Sequence, residues 1–195
     1  MDAKRLLDLA LGSLGLTLAL PVLMGVALAM RLSGDRGPFL YRARRMGEGG
    51  HVIEILKIRT MTVGSGGLNV TVAGDPRVTR VGRVLRRYRL DELPQLVNVV
   101  RGQMSLVGPR PEDPGYVDLT DPTHRRVFTA KPGLTGLAQL EYHDEARLLV
   151  GDDADRRYRE EILPAKLRLD MEYLDRRSTR LDLEILARTV LAVLT

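Results

Sequence analysis

The chain has 195 residues, with 30 Lys and Arg against 25 Asp and Glu, a net charge of +5, no Cys, three His, six Tyr, two Phe and no Trp. The lack of Cys excludes disulfide frameworks, thiol nucleophiles and thiolate metal sites, and the scattered His and scarce aromatics speak against a His-rich metal site or a stacking platform for single-stranded nucleic acid. The basic balance points to anionic partners: phosphates, nucleic acid or an acidic membrane surface.

Residues 9–30 carry no charge over 22 positions, enough to pass the test of roughly 20 apolar residues for a membrane-crossing helix. Pro21 interrupts the run and predicts a kink or break, because it removes a backbone donor and crowds the preceding turn. At 1.5 Å per residue the halves rise about 18 Å and about 14 Å, and neither alone crosses a hydrocarbon core of about 30 Å. Lys4 and Arg5 precede the segment, and Arg31, Arg36, Arg42, Arg44 and Arg45 follow it. Basic flanks on both sides fit a hairpin that enters and leaves by one face as well as they fit a straight span. A cleaved signal peptide fits poorly, since no small-residue cleavage site follows cleanly.

Residues 38–60 read as a β-hairpin, PFLYRARR and HVIEILKIR around Gly47, Gly49 and Gly50. The stretch 61–76 reads as a loop. Its GSGG lacks the Lys-Ser/Thr of a phosphate loop. Asp75-Pro76 predicts a helix start, with Val78, Val81, Val84 and Leu85 on one face and arginines on another. A second helix is expected over about 91–101, stopped by Gly102, with Pro94 in its first turn. Residues 103–116 read as irregular. A short helix follows over 121–131, then a turn at Pro132-Gly133 into LTGLAQL, read as a strand. Residues 152–177 read as helical in two pieces, the second begun by Pro164. Ser178 or Thr179 caps a last helix over about 181–194.

Between Arg77 and Arg110 there are eight arginines and two acids, the adjacent Asp91 and Glu92. A carboxylate among guanidinium groups is expected to be held ionised. It can then serve as a nucleophile or a Mg²⁺ ligand, while surplus arginines clamp phosphate. The parts suit phosphoryl transfer, where positioning and charge neutralisation dominate. The same pattern also describes a solvated basic helix with an acidic first turn.

The residues DELPQLVNVVRGQMSLVGPRP (91–111) resemble the signature of the bacterial sugar transferases, the small monotopic phosphoglycosyl transferases. KRLLD (4–8), KIRTM (57–61), KPGLTGLAQL (131–140) and KLRLDMEYLDRRSTRLDLEIL (166–186) resemble further family blocks, in the family's order. The resemblance implies an α+β fold, mostly helical with a small β-hairpin. It implies a re-entrant membrane helix over 1–31 and a cytoplasmic catalytic domain over 32–195 with amphipathic membrane-surface helices, on the cytoplasmic face of a bacterial inner membrane. It also implies transfer of a phosphosugar from a UDP-sugar to undecaprenyl phosphate with release of UMP, an early step of exopolysaccharide or glycoconjugate assembly. Asp91 would be the nucleophile that carries the phosphosugar covalently, and Glu92 would join it in holding Mg²⁺. Lys57, Arg59, Arg86 and Arg110 would bind substrate, as would Asp170 and Tyr173. Membrane lipids and downstream glycosyltransferases are the further partners it suggests. Ile58, Val97 and Leu7 replace aromatics common in the family, and Leu20 replaces the usual Ser before Pro21. Arg89 stands where a small polar residue is usual and adds charge beside the nucleophile. A nucleic-acid binder and a non-catalytic membrane scaffold are the competing classes. The first is disfavoured because the acid pair would repel a phosphate backbone and no groove-reading motif is present. The intact acid pair also argues against the second.

Overall fold

In a computed structural model of the chain, the structure describes residues 2–34, 37–64, 71–149 and 153–194. Arg36, Gly66 and Gly67 and part of the GSGG loop and of the acidic run at 151–155 lie outside them. The described residues form an α+β fold, mostly helical, with the β-hairpin where the sequence places it. Strands β1 (Leu40–Met46) and β2 (Val52–Ile58) pair antiparallel from Leu40 against Ile58 to Met46 against Val52. Their connection turns through Gly49 and Gly50 at φ of 70° and 75°, values open to glycine at little cost.

Helix α1 (Ala3–Leu32) corrects the expectation at Pro21, since the backbone stays helical through the proline and no break separates two halves. The structure lays this helix along the rest of the chain. At its start, Arg5 donates to the carbonyls of Val99 and Val100 at 2.6 and 2.7 Å. These are among the last carbonyls of α3 (Gln95–Val100), which have no partner within their own helix. Lys4 reaches Asp182 at 2.7 Å, and Asp8 accepts from the Ser105 hydroxyl and the Leu106 amide. Farther along, Gly12 lets α1 close on Val99, to which a Cβ there would come within 3.2 Å. Near its end, Met30 is buried with Ile58 and Leu85. The opposite face is apolar and bare: Leu14, Leu18, Met24, Leu28 and Leu32 are all exposed.

Helix α2 (Arg80–Arg87) begins later than Asp75-Pro76 suggests. The Asp75 carboxylate accepts from the backbone and guanidinium of Arg77 and so closes a local turn. Thr79 then caps the helix by accepting from Gly82 N–H at 2.9 Å. The stretch read as irregular contains β3 (Ser105–Val107), and LTGLAQL is not one strand. Only β4 (Gly133–Thr135) is extended, parallel to β3, and the chain then coils into α5 (Leu137–Glu141). A Cβ on Gly133 would stand 2.1 Å from Gly108 N, so the backbones meet too closely for any other residue.

Helix α4 (Pro122–Val127) is shorter than expected. Helices α6 (Ala154–Arg157) and α7 (Leu163–Arg176) join through a π-turn at Tyr158–Ile162, where Pro164 restarts the helix as read. Ser178 caps α8 (Thr179–Leu194) through Leu181 N–H. The central core joins Ala43 and Ile55 of the hairpin, Leu96 and Val99 of α3, Tyr173 and Ile185.

Candidate active site

The acid pair sits on a 3₁₀ turn, Leu90–Glu92, between α2 and α3. Arg89 enters this turn at φ 51°, the only non-glycine residue of positive φ among the described residues. That conformation is costly for a residue with a side chain and is held only where the surroundings fix it. Two things hold it here. The Arg89 guanidinium donates to the Gln139 carbonyl at 3.0 Å and lies 3.8 Å from Glu92. On the far side, buried Asn98 accepts from Leu56 N–H at 3.0 Å and donates to the carbonyl of Glu54 at 2.8 Å. Asn98 thereby ties α3 to β2 and sets Glu92 beside Lys57, whose Nζ is 2.9 Å from Glu92 Oε1.

Lys57, Glu92 and Arg110 line one small cleft with Arg45, Gln95 and Gln139. Its volume of about 30 Å³ holds a water molecule, not a nucleotide. Asp91 is buried at the base of the same turn. Arg86 does not line the cleft; it donates to the hydroxyls of Thr60 and Thr71 at 2.8 and 2.9 Å. Arg59 donates to the carbonyls of Pro38 and Met61, clasping the foot of the hairpin.

Asp170 and Tyr173 are buried behind the cleft. The Arg110 amide points at both oxygens of Asp170 at 3.3 Å, so Asp170 supports the backbone that carries Arg110. Tyr173 donates to Asp182 at 2.8 Å and receives Lys4 at 3.1 Å, next to the start of α1. The sequence reading missed Gln95, Gln139 and a buried ionic group behind Arg110. In that group, Lys166 contacts Glu145 and the Tyr158 hydroxyl, Tyr158 donates to Glu112 at 2.6 Å, and Glu112 faces Arg110 at 3.4 Å. These residues lie far apart in sequence and read singly as solvated charges.

The electrostatics revise the expectation for Asp91. Burial raises its carboxyl pKa, Glu92 raises it further, and Lys57 and Arg86 only partly oppose them. Glu92 goes the other way. Burial pushes it up, but Lys57, Arg89 and Arg110 together overcome that and hold it at about 2. The pair is thus split, with Glu92 the firmly ionised member. Burial likewise lowers Arg86, with Asp91 and Asp75 pulling back.

Among the described residues no group of three or more His, Cys, Asp or Glu converges as a metal cage. Two adjacent carboxylates nevertheless suit Mg²⁺, which keeps several waters and binds through one or two carboxylates plus substrate phosphates. A larger groove between α4 and α7 is lined by His124, Leu167 and Met171 and contains none of the expected site residues.

The sequence matches the bacterial sugar transferase family over residues 1–195. A UDP-glucose:undecaprenyl-phosphate glucose-1-phosphate transferase of Caulobacter vibrioides is 43% identical over 98% of this chain and 70% of its own length. A UDP-N-acetylgalactosamine-undecaprenyl-phosphate N-acetylgalactosaminephosphotransferase of Aeromonas hydrophila is 34% identical, over 98% of this chain but 44% of its own length. An exopolysaccharide production protein, PSS, of Rhizobium leguminosarum is 37% identical over 98% of this chain and 95% of its own length. With its acid pair, basic cleft and long apolar helix in one framework, the chain belongs to the bacterial sugar transferase family.

Proposed function

We propose that the chain transfers a phosphosugar from a UDP-sugar to undecaprenyl phosphate, releasing UMP, through a phosphosugar held covalently on Asp91. The observation that carries the reading is the acid pair on its strained turn, with Lys57, Arg89 and Arg110 acting on Glu92. The names of the relatives supply the donor and acceptor classes.

In the first half-reaction a carboxylate oxygen of Asp91 attacks the β-phosphorus of the UDP-sugar. The bond from that phosphorus to the bridging oxygen breaks, and UMP leaves with the electron pair. In the second, a phosphate oxygen of undecaprenyl phosphate attacks the same phosphorus, and Asp91 leaves as a free carboxylate with a polyprenyl diphosphosugar as product. Burial favours the first step, because a poorly solvated carboxylate is the stronger nucleophile. Lys57 and Arg110 supply positive charge where negative charge gathers on the phosphate oxygens. Asp91 and Glu92 would hold Mg²⁺, which when bound neutralises diphosphate charge. Glu92 keeps its own charge throughout, since its lowered pKa leaves it unable to take a proton near neutrality.

The acceptor is a lipid, and α1 accounts for how the site reaches it. Its inner face is fixed to the catalytic domain at both ends, by Lys4 and Arg5 and by Met30. A helix of 30 residues is about 45 Å long, and the contact of its two ends with one domain supports a placement of both ends on one side of the bilayer. The bare apolar face of α1, with Leu183, Val190 and Leu191 of α8, would sink into one leaflet. The chain would thus be monotopic, on the cytoplasmic face where UDP-sugars are found.

The test is UMP release from a panel of UDP-sugars with and without undecaprenyl phosphate, followed by mass spectrometry of the 91–101 peptide. A phosphosugar adduct on Asp91 and a loss of several orders of magnitude in Asp91→Asn are expected. Full activity in Asp91→Asn refutes the covalent step.

A further inference from the structure

Gln139 is a buried amide in the wall of the catalytic cleft, alongside Lys57, Glu92, Gln95 and Arg110. Its surroundings fix it from two directions. Its backbone carbonyl accepts from Arg89, the residue that enters the catalytic turn at positive φ. Its side-chain Nε2 donates to the Gly133 carbonyl at 3.2 Å. Exchanging the amide nitrogen and oxygen would turn Oε1 against that carbonyl, two acceptors face to face, so the orientation follows from the contact. What remains is Oε1, which is buried and has no donor among the described residues. Buried polar atoms are paired in the great majority of cases, and in the wall of a binding cleft the missing donor can be carried by the ligand.

We propose that Gln139 Oε1 accepts a hydrogen bond from an N–H or O–H group of the nucleotide-sugar donor, and that Gln139 is a recognition residue for it. The inference rests on the phosphosugar-transfer reading above and deepens it. The phosphates cannot be the partner, because they present acceptors only at neutral pH. The neutral donors lie on the uridine, through the uracil imide or a ribose hydroxyl, and on the sugar, through a hydroxyl or an acetamido N–H. Arg89 gains a role as well. Its guanidinium joins the Gln139 backbone to Glu92 and so ties the recognition residue to the catalytic turn.

The experiment uses the full chain in vesicles containing undecaprenyl phosphate. Gln139→Met keeps the side-chain length and removes the acceptor. With the UDP-sugar that wild type turns over fastest, kcat/KM is expected to fall about 10- to 100-fold, mainly through KM, as for one buried hydrogen bond left unmade. Inhibition by UMP separates the sources. UMP weakened in parallel identifies the uridine half, and UMP binding unchanged identifies the sugar. If Gln139→Met does not fold, wild type is assayed with UDP-sugars methylated at uracil N3, singly deoxygenated on the ribose or the sugar, or N-methylated at an acetamido group, and at least one must lose tenfold or more. A folded variant with wild-type kcat/KM, or no loss with any analogue, overturns the assignment while leaving the reaction intact. Wild type that releases no UMP from any UDP-sugar overturns the reaction reading and this assignment together.

Discussion

Lys57 is the group that most sets the charge state of the acid pair, so its replacement is expected to move the pH dependence of catalysis. Lys57 Nζ is 2.9 Å from Glu92 and is the strongest favourable charge acting on both Asp91 and Glu92. An opposite charge at this range lowers a carboxyl pKa by about 1 to 3 units. In Lys57→Met that help is gone, while burial and the mutual repulsion of the pair remain, so both carboxyls rise. Asp91 must be deprotonated to attack. The acid limb of the kcat/KM profile should therefore move to higher pH by about 1 to 3 pH units, with activity lost at a pH where wild type still works. Lys57→Arg keeps the charge and should leave the limb within about half a pH unit of wild type. Folding stability of Lys57→Met at neutral pH should fall as well, since each pKa unit by which a carboxyl of the pair rises in the folded state is worth about 1.4 kcal/mol. The assay is UMP release between pH 5 and 9 at subsaturating donor. A Lys57→Met profile that keeps the wild-type acid limb and only drops in height would refute this account and leave Lys57 as a phosphate contact alone.

The other expectations follow from the same geometry. Asn98→Ala removes the bonds to Leu56 and Glu54 and strands buried backbone groups, so it should cost about 2 to 4 kcal/mol in urea unfolding and lower turnover even where the variant is folded. Excess chelator should abolish UMP release and added Mg²⁺ should restore it; turnover unaffected by chelator removes the metal from the proposed reaction. Glu92, held at about 2, contributes stability that is complete above the ordinary carboxylate range and is lost as pH falls toward 2, whereas raised Asp91 works in the opposite sense, so Glu92→Gln should flatten the acid side of the stability curve. Single Cys residues at Ala3 and Ser33 should both be protected from an impermeant thiol reagent in intact cells and both react after permeabilisation; labelling of only one in intact cells would mean that the segment spans.

The hairpin was legible because β-rich runs around Gly47, Gly49 and Gly50 are local signals that tertiary contacts reinforce. The acid pair was legible because two adjacent acids stand out in an arginine-rich stretch. What local patterns could not supply was direction. Arg59 and Arg86 read as equals of Lys57 and Arg110, yet the fold turns Arg59 onto the carbonyls of Pro38 and Met61 and Arg86 onto Thr60 and Thr71. LTGLAQL carries strand-like residues, but Gly136 and the close approach of Gly108 to Gly133 end the strand at Thr135 and put Gln139 on a helix instead. Counting nearby arginines predicts an ionised Asp91, whereas burial raises its pKa.

Pro21 is the clearest case of tertiary context overriding a local rule. A proline at this position leaves the Thr17 carbonyl without its helical donor, a loss of the kind that usually bends or ends a helix. Here the helix has contacts on both sides of the proline, with Ala19 and Leu23 against the central core and Met30 against Ile58 and Leu85. Those contacts keep the two halves on one surface without a reversal of the chain. The membrane reading changes accordingly. A hairpin would insert its tip and leave both faces of each half to lipid, whereas a helix whose polar anchors, Lys4, Arg5 and Asp8, all point into the domain has one face for lipid and one for the catalytic fold. The same long apolar helix packs Gly12 onto α3, whose N-terminal end adjoins the acid pair. In the proposed reaction this one rigid contact would set both the depth of α1 in the leaflet and the position of Asp91, as an acceptor phosphate at a fixed height above the hydrocarbon requires.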